Sequence, residues 1–208
     1  MINLNNLKPV KNGPSPLFLH GGDLLDKYTL EDIQDFDWGR CKPEPQSRVI
    51  GRRSFQMLPD TYYGGDLATE QLAGLLDDLN DIEVLVDLSR ETGHPEELLR
   101  KNFIGATLTI AIDSAEYNLA RHTDASPTLQ IYLGPDGATG TQFYDPIGVM
   151  TEVPFVTNTG YFQIPSKGYT HGVKNTVPGR KSIIVFWRML NTFYQLLPSN
   201  TLLMRSRV

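Results

Sequence analysis

After Gly105 the chain is a succession of short segments rich in β-branched and aromatic residues. Turn-forming sequences separate them, among them residues 134–137 (Gly-Pro-Asp-Gly) and Pro178-Gly179. Many short strands at this spacing, behind a helical N-terminal part, predict an antiparallel sandwich or a jelly-roll barrel. The predicted strands are Thr107–Ile112, Thr128–Leu133, Gly140–Tyr144, Tyr161–Ile164, Gly172–Asn175 and Ser182–Met189.

The segment that precedes this β-rich part has a helical periodicity. Apolar side chains recur at three- and four-residue steps from Leu67 to Arg90, which predicts an amphipathic helix broken near Asn80–Asp81. Gly93 is a helix stop signal. Pro95 then opens a shorter helix whose first turn carries the acidic pair Glu96–Glu97. We expect these helices to pack on one sheet of the barrel.

Residues 1–65 are rich in Pro, Gly and Asp, and their periodicity is weak. A short helix at Leu30–Phe36 and a strand at Ser54–Leu58 are the elements predicted there. A length of 208 residues with 40% hydrophobic content suits one core. We therefore predict a single domain over residues 1–208, with irregular and helical support over 1–104, a jelly-roll core over 105–190 and a C-terminal extension over 191–208.

The formal net charge of −5 argues against a nucleic-acid partner, because such proteins carry a basic stripe. The pair Arg52–Arg53 is interpreted as solvated surface charge. The single cysteine, Cys41, excludes an internal disulfide and a thiolate metal cluster. The N-terminal residues lack an apolar signal-peptide core, and no apolar run is long enough for a membrane span. A cytoplasmic protein is the expectation.

Two of the four histidines have neighbours that indicate a metal site. His122 and Asp124 are two residues apart, so strand alternation would project both to one side. A barrel can bring His171 back beside them after several strands. Two imidazoles and one carboxylate form the facial triad typical of non-haem Fe(II), which leaves coordination positions open. The spacing alone also allows zinc. His20 is interpreted as a loop residue.

Arg180 and Ser182 stand at the start of a largely apolar strand and share a face by alternation. A guanidinium aimed into an apolar barrel needs an anionic partner, because an unpaired buried charge is costly. The distal carboxylate of 2-oxoglutarate suits a bidentate arginine contact. These two residues favour iron with 2-oxoglutarate over a zinc site.

The motifs around these residues resemble the 2-oxoglutarate/Fe(II)-dependent dioxygenase superfamily, particularly its small prolyl-hydroxylase-like and phytanoyl-hydroxylase-like members. The resemblance covers about residues 105–190. It implies a double-stranded β-helix, Fe(II) held by His122, Asp124 and His171, 2-oxoglutarate held by Arg180 and Ser182, and O2 as oxidant. Because halogenating relatives lack the carboxylate, Asp124 favours hydroxylation, with desaturation and ring formation as the open alternatives. The motifs are residues 117–124 (YNLARHTD), 131–134 (IYLG), 140–143 (GTQF), 171–173 (HGV) and 179–182 (GRKS).

Three further residues are weaker candidates for the cosubstrate site. Gln130 and Tyr132 share the polar face of their strand, and Asn118 shares the alternation of His122. The expected substrate is a small molecule, an amino acid or a peptide side chain. Two alternatives are a zinc or manganese hydrolase or isomerase in a cupin-like barrel and a non-catalytic barrel that only binds ligands.

Overall fold

A computed structural model gives the fold of the chain. It describes residues 1–10, 18–44, 49–61, 63, 66–92, 94–145, 148, 150–165, 168–174 and 177–190. The predicted helix stop at Gly93, the strand end at Asn175 and the extension 191–208 lie outside the described residues.

The described helices support one side of the molecule. Asp26 and Asp66 begin α1 and α2, because each carboxylate accepts hydrogen bonds from backbone N–H groups of the first turn. The predicted break after Leu79 is confirmed, since α2 ends there and α3 starts at Ile82. None of these helices combines the length and apolar content that crossing a membrane requires. The helices are α1 Lys27–Gln34, α2 Leu67–Leu79, α3 Ile82–Thr92 and α4 Glu96–Asn102.

The strands form one antiparallel sheet that curls into two layers. The hydrogen-bonded order is β1-β2-β9-β6-β11-β5-β10-β7-β8, and β4 adds to the other side of β5, with β3 beside it. The strands are β1 Lys8–Pro9, β2 Phe18–Gly21, β3 Lys42–Pro43, β4 Val49–Met57, β5 Phe103–His122, β6 Thr128–Gly134, β7 Thr141–Tyr144, β8 Met150–Val153, β9 Gly160–Gln163, β10 Thr170–Lys174 and β11 Arg180–Met189.

The long strand β5 joins the two layers. Its first half lies between β11 and β4, whereas its last residues pair with β10. The major layer is therefore β9-β6-β11-β5 with β2 and β4 at its edges, and the minor layer is β5-β10-β7-β8. This arrangement is a jelly-roll of the double-stranded β-helix kind, which confirms the predicted fold class.

The two faces of the major layer differ in polarity. On the outer face, Ile110, Val185 and Trp187 belong to one core cluster with leucines of α2 and α3. The indole N–H of Trp187 donates to the carbonyl of Leu79 at 2.8 Å, which ties β11 to the end of α2. The inner face carries polar side chains such as Gln130, and they face the interior of the barrel.

The predicted strands are confirmed, with ends displaced by one or two residues in most cases. The exception is β5, which begins four residues before and ends ten residues after the predicted Thr107–Ile112, because Asp113, Asn118, Leu119 and His122 still pair with neighbouring strands. The strand predicted at Ser54–Leu58 is the second half of β4. β8 and β1–β3 were not predicted. His20, interpreted as a loop residue, lies in β2, so that interpretation was wrong.

Candidate functional site

Three potential metal ligands meet where the two layers are joined. His122 is the last residue of β5, and His171 of β10 is its direct cross-strand partner, with ring centres 4.4 Å apart. Asp124 places Oδ1 3.2 Å from Nε2 of His122 and Oδ2 3.7 Å from Nε2 of His171. One ligand atom from each residue lies within 4.8 Å of the other two. The three residues can hold one metal ion.

A bulge in β5 decides which side chains face this site. Val173 pairs with Leu119 and His171 with His122, so β5 advances three residues while β10 advances two. The extra residue breaks the alternation, and both His122 and Leu119 line the same cavity. Asn118 is exposed on the other side. Its prediction assumed a regular strand, and the structure does not bring it to the site.

Asp124 reaches the site by a different route from the one predicted. β5 ends at His122, so Asp124 lies in the turn that follows rather than on the strand. The hydroxyl of Thr128 and the side-chain amide of Gln163 both donate to its Oδ2, at 3.0 and 2.6 Å. These hydrogen bonds fix the carboxylate in a segment without strand pairing.

The imidazoles are also held by neighbours. Nδ1 of His122 donates to the carbonyl of Ala120 at 3.0 Å, which leaves Nε2 with a free lone pair. Nδ1 of His171 lies 3.3 Å from the amide nitrogen of Gln163. Such outer contacts orient metal-binding imidazoles in many proteins.

The protonation states of His171 and Asp124 suit a metal cation, whereas His122 is shifted toward its protonated form by Asp124. Burial lowers the pKa of His171 to about 4, so its imidazole is neutral at physiological pH. Burial raises the pKa of Asp124, but His171, His122 and Thr128 lower it more, and the carboxylate is ionised. Burial lowers the pKa of His122, but the hydrogen bond and charge of Asp124 outweigh it and raise the pKa.

A cavity of about 610 Å³ opens beside the three residues. Its wall on the major layer carries hydroxyl and amide groups, whereas Ile184 and Phe186 supply apolar surface. The volume falls within the range of small-molecule sites. The polar side chains on this wall are Ser54, Gln56, Thr109, Thr128 and Gln130.

Arg180 lies deeper in the barrel and is fully buried at the start of β11. Its Nη1 donates to Oδ2 of Asp113 at 2.7 Å, and its Nε donates to the carbonyl of Thr139 at 3.1 Å. Among the described residues, Nη2 of Arg180 has no hydrogen-bond partner. The rings of Phe155 and Tyr132 lie 4.6 and 5.4 Å from its Cζ.

A second arginine neutralises the same aspartate. Arg52 donates to Oδ1 and Oδ2 of Asp113 at 2.7 and 3.1 Å, and its side chain is 9% exposed. The strand register explains the contact, because Arg52, Asp113 and Arg180 are direct neighbours across β4, β5 and β11. The interpretation of Arg52 as solvated surface charge was wrong. Two guanidiniums and one carboxylate leave this row with a charge of +1.

Ser182 shares the inner face with Arg180, but its hydroxyl already has a neighbour. The amide of Gln130 donates to Ser182 Oγ at 3.1 Å, and the hydroxyl of Tyr161 donates to Gln130 Oε1 at 2.7 Å. Tyr132 is also buried, and its hydroxyl donates to Thr141 at 2.8 Å. Gln130 lines the cavity beside the triad, whereas Tyr132 packs beside Arg180.

The fold of the chain recurs in solved structures. A prolyl-4-hydroxylase of Pseudomonas putida superimposes with a TM-score of 0.60 at 14% identity, over 83% of this chain and 92% of that one. A prolyl hydroxylase of Trichoplax adhaerens, bound to a hypoxia inducible factor peptide, gives 0.61 at 14% identity, over 88% and 87%. The fold is that of the prolyl hydroxylases. A full-length Neurospora crassa protein in complex with alpha-KG gives 0.56 at 14% identity, over 83% and 74%. Neither a family model nor a curated protein matches the sequence.

Several residues of the site were not predicted from the sequence. Asp113 and Arg52 form the buried charged row, Gln163 contacts two of the three ligands, and Tyr117 lines the cavity. An aspartate directly after the apolar run Thr107–Ile112 was the available signal for Asp113. The partner of that aspartate could not be named without the strand register.

Proposed function

We propose that the protein is a non-haem Fe(II) oxygenase that uses 2-oxoglutarate and O2. The reaction we assign is hydroxylation of a C–H bond in a small molecule, an amino acid or a peptide side chain, with release of succinate and CO2. The supporting observation is one cavity with a His-Asp-His triad beside it and a buried arginine with a free donor behind it. The proposal treats residues 1–208 as one dioxygenase domain.

The donor set fits iron. Two imidazoles, one of them neutral at physiological pH, and one ionised carboxylate suit Fe(II) and leave room for a chelating cosubstrate. His122, Asp124 and His171 would be the ligands. Among the described residues no other group of His, Cys, Asp and Glu side chains could hold a metal ion in this way. The open side of the triad faces the cavity, where a substrate can be positioned.

The buried arginine fits the far end of 2-oxoglutarate. The row of Arg52, Asp113 and Arg180 keeps one positive charge after its internal ion pairs form. A single carboxylate would neutralise that charge, and Nη2 of Arg180 has a donor to offer. This orphaned donor is the observation that supports Arg180 as the cosubstrate anchor. Ser182, Gln130 and Tyr132 would form the wall beside it.

When bound, Fe(II) and 2-oxoglutarate supply the oxidation: the keto acid gives succinate and CO2, one oxygen atom of O2 enters succinate, and the other enters the substrate C–H bond. The protein positions the reactants. Arg180 fixes one end of the cosubstrate, and the triad fixes the other. Ile184 and Phe186 offer apolar surface to the substrate, and Ser54, Gln56 and Thr109 offer hydrogen bonds.

The structurally similar proteins have been solved with ligands of different chemical classes, so they do not restrict the substrate class of this protein. The Trichoplax enzyme is bound to a peptide fragment, whereas the Neurospora protein has been solved with 5-formyluracil. A cavity of about 610 Å³ with an open mouth admits either a free small molecule or a protruding side chain. Asp124 supports hydroxylation as the outcome, because the carboxylate occupies the ligand position that halogenating relatives leave open.

The test begins with protein reconstituted anaerobically with Fe(II). We expect a weak visible absorption band on addition of 2-oxoglutarate, and succinate release after O2 is admitted. The His171→Ala variant should lose iron binding. The Arg180→Met variant should retain iron and raise the KM for 2-oxoglutarate by roughly 100-fold, since losing one partner of a buried hydrogen-bonded charge pair costs 2–5 kcal/mol.

Arg100→Met is the matched control for the arginine variant, because Arg100 pairs with Glu83 and Glu96 on the surface. It should leave both iron binding and the KM for 2-oxoglutarate unchanged. Tight zinc binding without any 2-oxoglutarate binding would support the hydrolase or isomerase alternative. Failure to bind either a metal or 2-oxoglutarate would support the binding-module alternative.

A further inference from the structure

Tyr117 is the second unexplained buried donor in this part of the barrel. Its side chain is fully buried, and within the described part of the chain its hydroxyl has no hydrogen-bond partner. Buried hydroxyls almost always have one, because leaving a polar group unpaired inside a protein costs free energy. The orphaned atom therefore points to a ligand that the protein itself does not supply.

The surroundings of Tyr117 identify the ligand as an anion. Cζ of Arg52 lies 4.3 Å from the centre of its ring, and Cζ of Arg180 lies 5.9 Å away. The other unpaired donor nearby is Nη2 of Arg180. Both unpaired donors belong to side chains whose Cζ and ring centre are 5.9 Å apart, beside a row whose ion pairs leave one positive charge, and a carboxylate has the charge and the two acceptor oxygens to serve both.

The hydroxyl of Tyr117 is able to donate. Burial raises the pKa of Tyr117 well above its ordinary value, so the phenol keeps its proton at physiological pH. Tyr117 also lines the same cavity as the His-Asp-His triad, whereas Arg180 is buried and is not among the residues that line it. A carboxylate that enters from the triad would meet Tyr117 before Arg180.

Ser182 is less suited to this role. Its Oγ lies 3.1 Å from the amide of Gln130, whose carbonyl oxygen accepts from Tyr161. This chain of hydrogen bonds holds the inner wall between β6, β9 and β11. The hydroxyl of Ser182 therefore stabilises the side chain of Gln130, whereas the hydroxyl of Tyr117 forms no hydrogen bond within the described residues.

We propose that Tyr117, rather than Ser182, is the hydroxyl donor that binds the distal carboxylate of the cosubstrate together with Arg180. The inference rests on the proposed function. It means that Tyr117, a residue of β5, makes the site specific for a dicarboxylate. Asp113 is the positioning residue, because its bond to Nη1 directs the guanidinium of Arg180. Both unpaired atoms are shielded from solvent, so the ring of Tyr117 must shift for a carboxylate to enter.

The experiment compares two variants that each remove one hydroxyl, Tyr117→Phe and Ser182→Ala. Calorimetric titration of the full chain loaded with Mn(II) measures the affinity for 2-oxoglutarate without turnover. The same titration with 2-oxopentanoate, which has the same carbon chain but lacks the distal carboxylate, isolates the contribution of that group. Thermal unfolding of each variant checks that it is folded.

Tyr117→Phe should weaken 2-oxoglutarate binding by about 10- to 100-fold, the value of a hydrogen bond to a charged group, and leave 2-oxopentanoate affinity unchanged. Ser182→Ala should change 2-oxoglutarate affinity by less than about threefold. Equal losses for both ligands in Tyr117→Phe would show a structural role and overturn the inference. A larger loss in Ser182→Ala than in Tyr117→Phe would also overturn it.

The same titrations separate this inference from the proposed function. If the unmodified protein binds 2-oxoglutarate but Tyr117→Phe binds it equally well, only the role of Tyr117 is wrong. If the unmodified Mn(II)-loaded protein does not bind 2-oxoglutarate at all, the proposed function fails, and the inference fails with it.

Discussion

Within the described part of the chain, Asp113 is the only carboxylate that forms ion pairs with the buried Arg52 and Arg180. Replacing Asp113 by Asn removes that negative charge. Asp113 accepts three hydrogen bonds, two from Arg52 and one from Arg180, at 2.7, 3.1 and 2.7 Å. Its side chain and that of Arg180 are fully buried. The substitution raises the charge of the row from +1 to +2 and leaves two guanidiniums facing each other across a neutral amide.

The expected cost follows from that burial. Breaking a buried pair by removing one partner costs about 3–5 kcal/mol, because the remaining charge is uncompensated. Unfolding entropy is about 2.1 cal/mol/K per residue, so for 208 residues this loss lowers Tm by roughly 7–11 °C. Urea unfolding followed by circular dichroism gives the free energy of unfolding, and a thermal scan gives the Tm.

Two further variants test the reasoning. Asp87→Asn removes an exposed carboxylate that pairs with Arg90, and it should change the free energy of unfolding by less than about 1 kcal/mol. The double variant Arg52→Met/Asp113→Asn restores the charge of +1, so it should be more stable than Asp113→Asn alone. A loss below about 1 kcal/mol in Asp113→Asn, or additive losses in the double variant, would refute the charge-balance argument.

Four other substitutions test the stability of the fold. Trp187→Phe should cost about 1–3 kcal/mol in urea unfolding, because the buried carbonyl of Leu79 loses its donor; a change under about 0.5 kcal/mol would contradict this. Gly160→Ala should cost about 1–3 kcal/mol, since its Cβ would collide with the backbone oxygen of Gln130. Gly74→Ala in α2, with open space around it, should instead stabilise by about 0.4–1 kcal/mol. Asp66→Ala should cost about 1 kcal/mol by removing the cap of α2. Hydrogen bonds from Thr69 lower the pKa of Asp66 below 3.8, so this difference should be constant above that pH and shrink as pH falls through the lowered pKa.

Strand content could be predicted because it depends on local pattern, whereas the proximity of His171 to His122 followed from the expected barrel and from the family resemblance. Branched and aromatic runs between turn signals mark the core strands, and a His-x-Asp followed by a distant His suggests a shared metal. The break between α2 and α3 was visible in the interruption of the leucine periodicity. The strands and the helix break need no knowledge of which strands are neighbours.

The other contacts of the site depend on the register between strands, which a single sequence does not reveal. Arg52 and Asp113 lie 61 residues apart and meet because β4 pairs with β5. The bulge that turns Asn118 outward exists only in the pairing of β5 with β10. Regular strand alternation predicts Asn118 on the same face as His122, whereas Asn118 is exposed on the other side. The overall charge predicts Arg52 on the surface, whereas Arg52 is buried against Asp113.

Strand β4 contributes side chains to the cavity but none of the three candidate metal ligands. The metal ligands stand on β5, on β10 and in the turn after β5, whereas Ser54 and Gln56 reach the cavity from β4, which is added outside the main path of hydrogen-bonded strands. A graft that exchanges residues 54–56 would therefore alter molecular recognition without touching the proposed iron ligands. If the proposed function holds, this architecture allows new substrates to be acquired at the added strand while the oxidative chemistry is inherited unchanged.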